Sequence, residues 1–258
     1  MNNLELKKIT EELIDTFLTA GKVAKDFSAQ GLNIKIKHDK TPVTDGDLAV
    51  DKILRDKILS LTPNIPIISE ETVNIKVENK NKIFWLIDPI DGTKQYIKGE
   101  EEYTLNAALI TNLKPTIGLI YAPKKNRLFF SHGKNLSFEI RNGNKKNLNC
   151  KKINTNEIIA LTNSDKMSDK ILQIYKKNNS TRIIKMSSSL KFCILAAGEA
   201  DIYAAEPRAF EWDIAAGHAI LSHAGGSVKT HSGEEVSYGK KGYKNPALIA
   251  KRSSNLEF

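Results

Sequence analysis

The chain has 258 residues, 40% apolar and 27% charged, enough to bury one large core or two closely packed ones. No apolar run approaches the roughly 18 residues of a membrane span, and the two cysteines, Cys150 and Cys193, have no metal-ligand spacing. The formal charge of +9 raises a polyanion-binding reading, but only six of the 39 basic residues are Arg and the Lys are scattered, so a solvated Lys surface is expected and no nucleic acid partner.

Residues Met1-Asn2-Asn3-Leu4-Glu5-Leu6-Lys7-Lys8 lack the apolar stretch and cleavage site of a secretory signal, and the cysteine usage fits a reducing cytoplasm. Leu6, Ile9, Leu13, Phe17, Ala20, Ala24 and Phe27 recur at helical spacing and predict a helix over 4–28. Ile34-Lys35-Ile36 alternates as a short strand before the turn residues Asp39-Lys40-Thr41-Pro42. A second helix is predicted from Thr44 to before Pro63, with Val50, Leu54, Ile58 and Leu61 facing inward. Buried strands follow at 65–68 and 83–87, separated by an exposed loop over 72–82 rich in Lys and Asn.

After residue 100 the pattern turns to β, with strands at 104–110, 116–121, 127–131 and 137–140. Pro115, Pro123, Gly133 and Asn142-Gly143-Asn144 supply the breaks, and the pairs Lys145-Lys146 and Lys240-Lys241 fall in predicted loops. Beyond 145, strands at 158–161, 183–186, 202–204 and 246–250 alternate with helices at 168–177, 188–198 and 212–223, the last ended by Gly225-Gly226. The expected organisation is an N-terminal α+β part, 1–145, and a C-terminal α/β part, 146–258.

The most informative stretch is Trp85-Leu86-Ile87-Asp88-Pro89-Ile90-Asp91-Gly92-Thr93. An apolar strand ends in one carboxylate, and a second follows three residues later. Asp88 and Asp91 can reach a common point, and the Ile90 carbonyl can turn toward a cation; such oxygen donors suit a hard ion such as Mg2+. Gly92 and Thr93 let the backbone approach a phosphate. The ordinary alternative is a β-turn, since Asp, Pro and Gly are turn residues. Ser69-Glu70-Glu71 ends the preceding strand, so Glu70 can arrive from a neighbour. Asp213 opens a predicted helix, where an N-terminal acid is also favoured by the dipole. Thr44-x-x-Asp47 likewise fits a capping box. His218 and His223, five apart, do not share a helix face and read as structural.

Four segments in one order resemble the inositol monophosphatase superfamily of metal-dependent phosphatases: Thr41-Pro42-Val43-Thr44-x-x-Asp47, Ser69-Glu70-Glu71, Trp85-Leu86-x-Asp88-Pro89-x-Asp91-Gly92-Thr93 and Trp212-Asp213-x-Ala215-Ala216-Gly217. Lys94 after Asp91-Gly92-Thr93, Tyr121-Ala122-Pro123 and Ser188-Ser189-Leu190-Lys191-Phe192-Cys193 resemble the branch of bacterial 3′(2′),5′-bisphosphate nucleotidases. The resemblance implies a layered α-β-α-β-α sandwich and a Mg2+-dependent enzyme, often inhibited by Li+, that cleaves 3′-phosphoadenosine 5′-phosphate to AMP and phosphate in support of sulfur metabolism. Ala205 stands where many nucleotidases carry Arg, with Arg208 three residues later, and Gln95 stands where an acid is common.

Carried over by position, the resemblance implies one Mg2+ held by Glu70, Asp88 and the Ile90 carbonyl and a second held by Asp88, Asp91 and Asp213, two ions or three in all. It implies that Thr93 and Asp47 handle the proton of the attacking water, with Glu70 also catalytic. Gly92 and Thr93 are expected to hold the phosphate, and Glu70, Ile90, Asp91 and Asp213 to line the substrate. For Ser188, Lys191 and Arg208, nucleotide contacts stand beside a helix N-cap, a surface Lys and a loop Arg as alternatives. The implied partner is a small bisphosphorylated nucleotide, and the implied protein a monomer or homodimer in the cytoplasm, with some relatives peripheral on the inner membrane face. Alternatives are an inositol monophosphatase or sugar bisphosphatase of the same superfamily, or a non-catalytic nucleotide- or RNA-binding protein.

Overall fold

The computed structural model describes residues 1–37, 40–77, 79–150, 157–253 and 256. The chain opens with α1 (Asn3–Gln30), β1 (Ile34–Ile36), β2 (Pro42–Thr44), α2 (Asp45–Leu61) and β3 (Ile67–Ser69). It continues through β4 (Ile83–Asp91), α3 (Thr93–Ile97), β5 (Thr104–Thr111), β6 (Lys114–Ala122), β7 (Arg127–Ser131), β8 (Ser137–Arg141) and β9 (Asn144–Asn147). The last third holds β10 (Ile158–Thr162), α4 (Asp169–Lys177), β11 (Ser180–Lys185), α5 (Leu190–Ala196), β12 (Ile202–Ala205), α6 (Glu211–His223), β13 (Ser227–Thr230) and β14 (Leu248–Lys251).

Side-chain alternation along the strands builds the layers. In β4, Trp85 and Ile87 join Leu13 and Phe17 of α1 and Val50 and Leu54 of α2 in one core. Phe84 and Leu86, on the opposite face, join Leu190 and Phe192 of α5 and Trp212 and Ile220 of α6 in another. The seven-stranded sheet, ordered β3-β4-β5-β6-β7-β8-β9, is therefore covered on both sides. That double burial is why β4 reads as a nearly continuous apolar run. A five-stranded sheet, β11-β10-β12-β14-β13, repeats the device: Leu161, Tyr203 and Ala250 face α5 and α6, while Ala160, Ile202 and Ile249 face Ile171 and Tyr175 of α4. The result is the α-β-α-β-α sandwich that the family resemblance implies.

The predicted helices and strands are present with shifted ends. Among the described residues, the strands β2, β9 and β13 and the helix α3 lie outside the predicted elements, as do 3-10 turns at Pro123–Lys125 and Lys241–Tyr243. Lys145 and Lys146, expected in a loop, belong to β9, where Lys145 lies over the Phe138 ring at 4.3 Å. Lys240 is not free surface charge either: its ammonium pairs at 2.8 Å with the buried Glu211 carboxylate, which also accepts the Gly239 and Lys240 N–H groups. In the turn expected at 39–42, Asp39 lies outside the described residues, and Pro42 already opens β2.

Candidate active site

Three elements bring carboxylates to one place. β3 runs parallel to β4 with Ser69 opposite Ile87, and the Glu70 N–H donates to the Ile87 carbonyl at 3.1 Å, so Glu70 arrives beside Asp88. Ser69 fixes that end of β3 by donating its hydroxyl to the buried Asp51 at 2.5 Å. α6 packs closely on β6: a Cβ at Gly118 would stand 2.4 Å from the Ala216 carbonyl oxygen, so a residue without a side chain is required there. The N-terminus of α6 delivers Asp213, which also accepts the Phe210 N–H at 2.8 Å. Glu70, Asp88 and Asp213 each offer an oxygen within 4.8 Å of the others.

Asp88 and Asp91 are three residues apart and would face opposite sides of a regular strand. Their cross-strand partners in β5, Asn106 and Thr104, are two apart, so a bulge at Pro89-Ile90 inserts one residue. Proline suits this position because it has no N–H to leave unpaired. Asp91 then stands beside the three-carboxylate group, with one oxygen accepting the Ser189 N–H at 2.5 Å. Gly92, at φ +90°, turns the chain into α3; a Cβ there would both strain the backbone and meet the Glu102 carbonyl at 3.0 Å.

Thr44 and Asp47 form the expected capping box, and Asp47 does more. One of its oxygens accepts the Thr44 N–H and hydroxyl, at 2.9 and 2.5 Å. The other accepts the Thr93 hydroxyl at 3.4 Å, which also lies 3.1 Å from the Ile90 carbonyl. The cap is present, and the same carboxylate also lies within reach of the Thr93 hydroxyl.

Burial and mutual repulsion govern the charges. Burial first, then Glu70, Asp91 and Asp213, push Asp88 well above the usual carboxylate range. Burial, then Asp91 and Glu70, do the same to Asp213. Burial raises Asp91 to about 6 against the opposing pull of Lys191 and the Ser189 N–H. Burial also raises Asp47 to about 6, although its bonds from Thr44 oppose the shift.

Two lysines answer this negative charge. Lys37, which the sequence reading did not single out, reaches Glu70 at 3.0 Å and Glu71 at 2.9 Å. Burial works against its charge, and the two carboxylates more than restore it. Burial lowers Lys191 to about 8, with Asp91 opposing. Lys191 is thus no surface lysine: it is 5% exposed and its ammonium donates to the Met186 and Ser188 carbonyls. Ser188 has φ +56°, and its hydroxyl accepts the Leu190 N–H at 3.4 Å, but it is not the N-cap of α5, a position that Ser189 holds. Arg208 is exposed between β12 and α6, and its charge lowers the Asp91 and Asp213 pKa values.

The group fits a hard divalent cation. Its donors are all oxygens, and Asp88 Oδ1 is buried with no hydrogen-bond partner among the described residues, an acceptor left open at the centre of the group. His218 and His223 stand elsewhere, His218 bonded to the Tyr238 hydroxyl at 2.9 Å, and both cysteines are buried, the Cys150 thiol bonding to the Ala224 and Arg252 carbonyls.

Known proteins resemble this chain along most of its length. The 3′(2′),5′-bisphosphate nucleotidase CysQ of Buchnera aphidicola subsp. Acyrthosiphon pisum is 36% identical over 242 residues, 92% of this chain and 90% of that protein. The protein of the same name from Escherichia coli O157:H7 is 34% identical over 223 residues, 85% of this chain and 89% of its own length. The crystal structure of CysQ from Bacteroides thetaiotaomicron, described as a bacterial member of the inositol monophosphatase family, superposes with a TM-score of 0.77 at 28% identity, covering 94% of this chain and 96% of that one. Residues 5–257 match the family as a whole, and the chain belongs to the inositol monophosphatase family.

Proposed function

We propose that this protein is a Mg2+-dependent phosphoric monoester hydrolase that removes the 3′-phosphate of 3′-phosphoadenosine 5′-phosphate, giving AMP and phosphate. The observation that carries the reading is the convergence of Glu70, Asp88 and Asp213 around an unpaired buried oxygen of Asp88. Glu70, Asp88 and the Ile90 carbonyl are the donors for one ion, and Asp88, Asp91 and Asp213 for a second. Mg2+ held there supplies the positive charge that draws in an anionic phosphate and acidifies adjacent water.

The chain's own groups do the rest. Thr93, already within reach of Asp47, passes the proton of the attacking water to that carboxylate, which Thr44 holds in place. A carboxyl near 6 is suited to accept a proton at neutral pH. The water oxygen bonds to phosphorus as the bond to the 3′ oxygen breaks, and that oxygen takes up a proton from a solvent water. Gly92 and Thr93 present backbone N–H groups to the phosphate. Lys191, Arg208 and the Ser188 hydroxyl receive the second phosphate, so a bisphosphorylated substrate gains over a monophosphorylated one. In this proposal, 1–145 supplies most metal donors, while 146–258 supplies Asp213 and the nucleotide contacts. No described helix is long and apolar enough to cross a membrane, and the proposed setting is the cytoplasm. The apolar stripe of α1 is buried, so it gives no support to peripheral membrane attachment.

Phosphate release is measured from 3′-phosphoadenosine 5′-phosphate, inositol monophosphate and fructose bisphosphate, each with Mg2+ and with EDTA. Preferential, Mg2+-dependent cleavage of the nucleotide is expected. Faster cleavage of either sugar phosphate overturns the substrate assignment, and tight nucleotide binding with no release overturns the enzyme.

A further inference from the structure

Ser189 is 2% exposed and joins the two ends of the site through three hydrogen bonds. Its N–H donates to Asp91 at 2.5 Å. Its hydroxyl donates to Asn106 Oδ1 at 2.6 Å and stands 2.9 Å from the Thr104 hydroxyl. Because the single Ser189 hydroxyl hydrogen goes to Asn106, Thr104 is the donor to Ser189, and the three groups form one directed chain.

The position of that chain gives it meaning. Thr104 is the cross-strand partner of Asp91, and Asn106 the partner of Asp88. Residues directly opposite in an antiparallel pair share a face, so both partners lie beside the two β4 carboxylates. Asn106 is 1% exposed and its Nδ2 has no partner among the described residues. A buried donor therefore stands open next to the strand position of Asp88, whose Oδ1 is a buried acceptor equally open. Ser189 precedes α5, which belongs to the layer between the two sheets, whereas Thr104 and Asn106 belong to the seven-stranded sheet. Glu102 adds a parallel link, accepting the Ser187 N–H at 2.8 Å.

We infer that Ser189 is a positioning residue for metal binding: the Thr104–Ser189–Asn106 chain holds the Ser189 backbone, and through its N–H the Asp91 carboxylate, in place and fixes the start of α5 against β5. Groups behind metal ligands hold those ligands in their binding geometry, and their loss weakens metal binding by roughly 10- to 100-fold. The inference rests on the proposed Mg2+ site, and the test separates the two.

Mg2+ binding is measured by titration calorimetry, and melting temperature with EDTA and with Mg2+, on the full chain and on Ser189→Ala, Ser189→Thr and Thr104→Val. Mg2+ binding by the wild type is the control for the site itself; its absence refutes the metal reading. Given that binding, Ser189→Ala is expected to bind Mg2+ roughly 10- to 100-fold more weakly. Ser189→Thr, which keeps the hydroxyl, is expected to restore most of the affinity. Thr104→Val, which leaves the Ser189–Asn106 bond, shows a smaller loss of the same sign. A purely structural serine lowers the EDTA melting temperature and leaves Mg2+ affinity unchanged. Unchanged affinity in Ser189→Ala overturns the inference, as does a Ser189→Thr protein as weak as Ser189→Ala. If Ser189→Ala does not fold, Thr104→Val decides by the same criterion.

Discussion

Asp88 is 2% exposed, with one oxygen unpaired and, after burial, four other carboxylates raising its pKa. Without a cation, this charge is repelled by its neighbours and poorly solvated, so removing it relieves the metal-free protein. Asp88→Asn is expected to gain about 2 kcal/mol of stability in EDTA, several degrees in Tm, while losing the Mg2+-induced rise and phosphate release. Thermal scans with EDTA and with Mg2+ check this, and a variant that melts below the wild type in EDTA contradicts it. Lys37→Gln removes a positive charge from the same group and is expected to act in the opposite sense. Its EDTA stability falls by an amount on the order of 1 kcal/mol, since the pair is only partly buried, and saturating Mg2+ narrows the deficit. The same melting series measures it. Asp88, Asp91, Glu70 and Asp213 were legible because each sits where an apolar run ends or a helix begins. Lys37 and Ser189 were not, since their partners lie 33 and 98 residues away in the chain.

At the scale of elements, the helices and strands with several apolar side chains were readable, and those without were not. α3 spans five residues, too short for a helical period to register, and is held by its place after Gly92 and by the buried Tyr96. β9, Asn144–Asn147, is polar and exposed throughout and exists only because β8 pairs with it. β13 has one buried residue, Val228, and β2 is a three-residue partner of β1. One exacting contact between elements is the approach of α6 to β6, where a Cβ at Gly118 would meet the Ala216 backbone and lie 2.9 Å from the Ala219 Cβ. Strand propensity favours alanine over glycine, yet Gly118→Ala is expected to cost about 2–3 kcal/mol, because a backbone carbonyl and a buried helix must move. The displaced helix carries Asp213, so Mg2+ affinity falls with stability. Urea unfolding and calorimetry on Gly118→Ala test both; intact Mg2+ affinity in a destabilised variant shows that α6 yields without moving its N-terminus.

For the molecule as a whole, stability against pH is set by two groups of buried charges of opposite sign. Burial, then His223 and Lys240, lowers His218 to about 3 from an ordinary 6.5. Burial, then His132, lowers His223 to about 4. Both stay neutral in the folded protein while the unfolded chain takes up protons below about 6.5, so their contribution is complete above that pH and is lost on acidification toward 3–4. Asp47, at about 6, and Asp88 and Asp213, both raised by burial and by neighbouring carboxylates, behave in reverse when no cation is bound. There the folded state takes up protons first, and acidification stabilises it. The two effects oppose each other, so the wild-type curve alone reports neither, and a difference curve is needed. His218→Gln keeps a hydrogen-bonding group near the Tyr238 hydroxyl and removes one titration. The stability of the wild type minus that of His218→Gln is expected to be flat above pH 6.5 and to fall below it at a slope approaching about 1.4 kcal/mol per pH unit, one proton's worth. Urea unfolding from pH 8 to 4 measures it. Parallel curves over that range mean that His218 takes up its proton at the same pH folded and unfolded, and that the acid sensitivity lies with His223, His132 or His231.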